Sequence, residues 1–208
     1  MIDRICKYIS VIFHPLLVPT YAICMFCHEL KSQYPEIASR FFTLLICSTF
    51  VFTFIIPVLS IILLRRGQGV KNSLLMRTRE ERQTPYHYTL IAIGVWGVFL
   101  FKALPSLPVI PVLVLGGWTA LAIITAINRK WLISAHSTAA GIWTAAVAGY
   151  AVYMNLQIPV IITEMLCLSL LIMLARLRLN AHTPAQVVAG FLIGLSTTFL
   201  FVWIFYCL

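Results

Sequence analysis

Two histidines and a set of arginines are the residues in this chain best suited to do chemistry. Five residues separate Arg176 from His182 within Ala175-Arg176-Leu177-Arg178-Leu179-Asn180-Ala181-His182-Thr183-Pro184-Ala185-Gln186. Some 40 residues upstream is Ile133-Ser134-Ala135-His136-Ser137, and before that Arg77-Thr78-Arg79-Glu80-Glu81-Arg82. Guanidinium groups form planar, paired N–H bonds to phosphate oxygens. Arg79 and Arg82 are three residues apart and share one face of a helix. Ser134 or Ser137 suits a helix N-cap, where backbone N–H groups and a hydroxyl make an anion seat. Histidine titrates near neutrality, so His136 suits proton donation and His182 suits attack or proton abstraction. The chemistry implied is the handling of a phosphate.

These residues sit between long apolar runs. The chain has 208 residues, 61% hydrophobic and only 10% charged, against about 25% charged in a soluble domain. Its mean hydropathy is +0.97. A soluble protein of this length has no core large enough to hide so much apolar surface. The net charge of +9 lies in short loops between apolar runs, which points to membrane topology and anionic headgroups and away from nucleic acid. The six cysteines are scattered, mostly inside apolar runs, and read as buried thiols. Cys24-Met25-Phe26-Cys27-His28 has the spacing of a haem attachment site but no exposed loop to hold one, so helix packing is the better reading.

About 20 apolar residues cross a bilayer as a helix. By that measure the candidate spans are Ile9–Cys27, Phe41–Leu64, Tyr86–Leu104, Val109–Ile127, Ser137–Asn155, Pro159–Leu177 and Pro184–Cys207. His14-Pro15 and Pro19 break the first pattern, so the expectation is an all-α, polytopic membrane bundle of six to seven transmembrane helices. The chain reads as one membrane domain over 1–208, with the site-bearing core at about 65–208. Ala139, Ala140, Gly141, Ala145, Ala146, Ala148 and Gly149 allow close helix approach and place the fifth span at the bundle centre. Two crossings separate each polar segment from the next, so segments 65–85, 128–136 and 176–183 emerge on one face. That face also carries most of the Lys and Arg, which makes it cytoplasmic by the positive-inside rule, in a bacterial inner membrane. Thr183, Pro184 and Gln186 form a helix start, with Thr183 as N-cap and Gln186 closing a capping box.

The spacing of Arg176, His182 and Gln186, with Ser134-x-His136 and an arginine cluster upstream, resembles the type-2 phosphatidic acid phosphatase family, over roughly Arg77 to Gly190. The resemblance implies an integral membrane phosphatase that hydrolyses a phosphate monoester or diphosphate terminus of a lipid. His182 would be the nucleophile that becomes a phosphohistidine, and His136 the acid that protonates the leaving group. Arg79, Arg82, Ser134 and Arg176 would bind the phosphoryl oxygens, and Gln186 would orient the nucleophile. Fixed cations around the equatorial oxygens imply no metal and no cofactor. The partners expected are the lipid phosphate and the bilayer, with no nucleic acid.

This sequence departs from the family pattern at several positions. Leu75 replaces a lysine, Pro85 stands three residues after Arg82, and the second motif reads Ile133-Ser134-Ala135-His136 where Pro-Ser-Gly-His is usual. Ala175 replaces a serine, and Gln186 replaces the aspartate that orients the histidine. A neutral amide keeps orientation through its oxygen without stabilising the imidazolium charge. The alternative expectation is therefore a catalytically weak relative that binds or translocates lipid phosphates.

Overall fold

The computed structural model describes residues 1–67 and 79–207, without the side chains of 64–67 and 79. Arg77, Lys71 and Leu75 lie outside the described residues, as do the side chains of Arg65, Arg66 and Arg79. Among the described residues the chain is helical throughout, with short connections. The helices are α1 (Ile2–Ile12), α2 (Val18–Gln33), α3 (Ser39–Phe50), α4 (Ile56–Gly67), α5 (Arg79–Ala103), α6 (Val109–Ile127), α7 (Ala135–Tyr153), α8 (Ile158–Arg178) and α9 (Pro184–Cys207). A π-helical turn, Val51–Ile55, joins α3 to α4. The fold is a helical membrane bundle. Among the described residues, five stretches are long and apolar enough to cross a bilayer: Ser39–Leu63, Glu80–Ala103, Val109–Ile127, Ile158–Arg178 and Pro184–Cys207. Their outer faces carry exposed Leu166, Leu170, Leu174, Phe199 and Trp203, as contact with lipid requires.

The expected first span is not one helix. The chain breaks over residues 13–17, where Pro15 lacks the N–H that a continuing helix needs. Upstream, α1 has 11 residues, about 16 Å, which is too short to cross. It buries Cys6 and Ser10 and exposes Ile5, Tyr8, Val11 and Ile12. Its inner side packs on α8, and Arg178 Nε donates to Asp3 Oδ1 at 3.0 Å. Downstream, α2 runs beside α7: Phe26 stacks on Tyr150 at 4.1 Å, Tyr150 donates to Phe26 O at 3.1 Å, and Gln33 reaches Met154 O. The third span also begins earlier than expected. Arg79 opens α5, and Pro85 sits inside the helix rather than before it.

As its small residues predict, α7 is central. Thirteen of its 19 residues are buried. That shelter explains why it carries Ser137, Thr138 and Thr144 and is less apolar than its neighbours; Thr144 and Ser169 share a hydroxyl hydrogen bond of 2.9 Å with α8. The closest partner of α7 is α9. A Cβ on Gly141 would strike Phe191 O, one on Gly194 would strike Thr138 O, and one on Gly190 would lie 2.7 Å from Ser134 O. Gly190 and Gly194 thus form a small-xxx-small face that brings the two backbones into contact. The consequence is local to the site: the start of α7 is clamped against the first turns of α9.

Candidate active site

Each chemical residue sits at a helix terminus whose end is fixed by its own sequence. Asn180 ends α8 in the left-handed region (φ 50°). The N–H of Ala181 bonds Arg176 O at 3.1 Å and that of Asn180 bonds Leu177 O at 2.9 Å, which is the Schellman pattern. The chain then turns into α9 through a reciprocal capping box. Thr183 N donates to Gln186 Oε1 at 3.0 Å, and Gln186 N donates to Thr183 Oγ1 at 3.4 Å. His182 lies between these two devices and is buried. At α7, Ser134 is the N-cap: its Oγ accepts from Ser137 N at 3.3 Å and from Ser137 Oγ at 2.9 Å.

The partners of His182 assign its tautomer. Nδ1 lies 3.2 Å from Leu132 O and 3.2 Å from Gln186 Oε1. The backbone donor of Thr183 fixes the Gln186 amide with its oxygen inward, so both neighbours are acceptors and Nδ1 carries the proton. Nε2 therefore presents its lone pair, and it faces Arg82, whose Nη1 is 3.4 Å away. The same Nη1 is 3.5 Å from Ile133 O. The three polar segments thus meet: Arg82 from α5, residues 132–136 before and in α7, and His182 before α9. Gln83 Nε2 donates to Thr125 O at 3.4 Å and Asn128 Nδ2 to Gln83 Oε1 at 3.3 Å, tying α5 to the end of α6 beside them.

Burial, with the nearby charges of Arg82 and Arg176, lowers the His182 pKa from 6.5 to about 4, against the opposing hydrogen bonds from Gln186 and Leu132. His182 is neutral at pH 7. Arg176 comes from the last turn of α8, half-buried. Its Nη1 donates to Ser10 Oγ at 3.0 Å, and its buried Nε has no acceptor among the described residues. His136 lies within electrostatic reach of Arg176 and His182. Its Nε2 donates to Ser10 O at 3.0 Å, and its ring meets that of His14 edge-on at 5.7 Å. Burial and Arg176 also lower the pKa of His14.

Of the residues expected at the site, His136, His182, Arg82, Arg176, Ser134 and Gln186 are placed in one cluster. The side chain of Arg79 lies outside the described residues, although its backbone opens α5 one turn before Arg82. Ser10 and His14 belong to the cluster and were not expected; the His14-Pro15 pair signalled only the chain break. The N-termini of α7 and α9 point their positive dipole ends into this region, which suits an anion. Among the described residues, no three or more His, Cys, Asp or Glu side chains form a metal-ligand set. On one side His182 and Gln186 line an open depression of about 540 Å³. On the other, Ala135 and Thr138 line an apolar cavity.

Residues 105–207 match the family model of the PAP2 superfamily. The chain belongs to that superfamily. No curated protein and no solved structure matches it. The PAP2 match covers α6 to α9 and so contains both histidines, Ser134, Arg176 and Gln186. Membership supports a phosphatase-type activity. Arg82, Ser10 and His14 reach this cluster from outside the matched residues, on α5, near the end of α1 and at the joint between α1 and α2.

Proposed function

We propose that the protein is a lipid-phosphate phosphatase of the membrane interface, acting through a phosphohistidine at His182. The observation that carries this reading is the tautomer: Nδ1–H is held by Leu132 O and Gln186 Oε1, and a neutral Nε2 faces the Arg82 guanidinium. A phosphoryl group seated between Arg82, Arg176 and the first turns of α7 and α9 would have its equatorial oxygens against fixed positive charge. Nε2 attacks phosphorus in line, an N–P bond forms, and the P–O bond to the lipid breaks as His136, in the imidazolium form that a seated phosphate favours, gives its Nδ1 proton to the leaving oxygen while Nε2–H stays on Ser10 O. Water entering from the depression beside His182 then attacks the phosphohistidine. His136 takes a proton from that water, phosphate leaves, and Nε2 is restored.

The substrates proposed are phosphate monoesters or diphosphates on a lipid such as phosphatidic acid, phosphatidylglycerol phosphate or a polyprenyl phosphate. The site end carries Arg4, Lys7, Arg129, Lys130, Arg176 and Arg178, while Lys31, Arg40 and Lys102 lie at the far helix ends. That bias supports a cytoplasmic site face in a bacterial inner membrane. Purified protein in detergent should release phosphate from these lipids, and an acid-labile phosphoprotein should be trapped on rapid quenching. His182→Ala should remove both; release that survives His182→Ala rules the mechanism out.

One observation favours a second reading, a weak relative that mainly binds or translocates lipid phosphates. Gln186 Oε1 is shared between His182 and Thr183 N and carries no charge. Lipid-phosphate binding with no turnover in either wild type or Gln186→Asp would establish that reading.

A further inference from the structure

The apolar cavity beside the site has a shape that phosphate chemistry does not require. It is about 150 Å³ and lies between α2, α5, α6 and α7. At the site end it begins at Ala135 and Thr138, which flank His136, and at Tyr86, one turn after Arg82. At the far end it reaches Phe26, Trp96 and Ala146. From Ala135 to Ala146 along α7 is about 16 Å at 1.5 Å per residue, about half of a hydrocarbon core ~30 Å thick. With the site at headgroup depth, the length of the cavity matches the depth of one leaflet.

Its width is restricted. A Cβ on Gly117 of α6 would lie 3.0 Å from Ile142 Cγ2 of α7, so these two walls nearly touch at mid-cavity. A dry apolar cavity of this volume and length has room for one narrow chain and not for two. The wall opposite α6 is built by the N-terminal segment, through Pro15, Val18, Ala22 and Phe26. That wall is pinned at its top, where Thr53 of the π-helical turn donates to Leu16 O at 3.1 Å and His136 donates to Ser10 O. The segment that touches the acid thus also shapes the cavity.

We infer that this cavity is a slot for one hydrocarbon chain, and that it makes the protein select single-chain lipid phosphates over diacyl ones, with the α1–α2 segment as the specificity wall. The headgroup end of this inference rests on the phosphate reading of the site; the slot itself rests on the cavity. A lipid phosphate seated at His182 would direct its chain past Ala135 and Thr138 into the slot.

The test is photolabelling of the full-length protein in detergent with an alkyl phosphate carrying a diazirine at its chain end. The expected result is labelling of α2 near Ala22–Phe26 or of α7 near Ala146. A single-chain alkyl phosphate should compete at least about tenfold better than diacyl phosphatidic acid. Ala146→Phe, which fills the deep end, should lower the ratio of long-chain to short-chain affinity by roughly tenfold, as loss of a few buried methylenes implies. Labelling confined to the outer faces of α8 and α9, or equal competition by the diacyl lipid, overturns the slot. Labelling inside the cavity with no phosphate release from any lipid upholds the slot and sinks the phosphatase reading. Release with labelling only outside the cavity sinks the slot alone.

Discussion

Residues 105–207 and residues 1–104 contribute to the site in different ways. The C-terminal half holds the proposed nucleophile by itself: Leu132 and Gln186 fix Nδ1 of His182, and the glycine contacts between α7 and α9 fix the backbones behind them. The N-terminal half supplies what surrounds that core. Arg82 faces Nε2, Ser10 engages both His136 and Arg176, and His14 packs against His136. The superfamily unit thus positions the His182 ring and its Nε2. The N-terminal helices add the charge of Arg82 to that of Arg176 and shape the space beside it.

Breaking the C-terminal half should do the most damage. Gly141→Val places a branched side chain against Phe191 O and Leu195 N of α9. Neither helix backbone yields easily, so the cost should exceed about 3 kcal/mol. Thermal unfolding in detergent should show loss of the folded protein. A variant that folds and melts like wild type would mean that the α7–α9 contact does not hold the site together.

Arg82→Ala tests the N-terminal contribution to the reactive nitrogen. Removing one fixed cation from the proposed transition state should lower kcat/KM on the order of 10²–10³-fold with the fold intact. It should also move the pH profile. The positive charge of Arg82 helps hold the His182 pKa at about 4, so its loss raises that pKa and shifts the acid limb of kcat/KM to higher pH. Stability follows the same group. With a folded pKa of about 4 against 6.5 unfolded, the folded state binds fewer protons between these values. Stability at this residue is complete above about pH 6.5 and declines as pH falls towards 4; Arg82→Ala should narrow that window. Denaturant melts at pH 7 and 5 check this.

Gln186→Asp sharpens the comparison from within the C-terminal half. A carboxylate at this position would stabilise the imidazolium that forms on attack, whereas the amide only orients the ring. In a serine protease, loss of the comparable charge costs about 10⁴ in turnover. Here the oxygen also caps α9 through Thr183 N, and a shorter side chain reaches His182 less well. The gain in phosphate release should therefore be smaller, on the order of tenfold. An unchanged or lower rate would show that this site has adapted to a neutral partner.

The parts of the molecule differed in how legible they were. The bundle was readable because lipid demands apolar runs of fixed length, and the centrality of α7 was readable because its small residues have no other use. His136, Arg176, His182 and Gln186 lie within short motifs at helix starts and ends, where local spacing and three-dimensional placement coincide. Ser10 was not readable. It meets His136 across 126 residues of chain, and a serine near the end of an amphipathic helix carries no periodic signal. The proline that splits α1 from α2 was visible, but what the resulting joint would touch was not. The early start of α5 was hidden by Pro85, which reads as a helix boundary yet is accommodated near the helix start.

Ser10 also provides the test with the smallest expected effect. Its two contacts use different atoms: the carbonyl accepts from His136 and the hydroxyl from Arg176. Ser10→Ala removes only the hydroxyl, so the His136 contact persists and phosphate release should fall by only a few-fold. The Arg176 guanidinium would then lose one acceptor while its Nε already has none among the described residues. A buried charged donor left unpaired costs about 1–3 kcal/mol. A bound phosphate offers oxygens to the same N–H groups, so inorganic phosphate should raise the melting temperature of Ser10→Ala more than that of wild type. Equal shifts would mean that Arg176 does not reach the anion and that Ser10 serves only to hold α1 against α8.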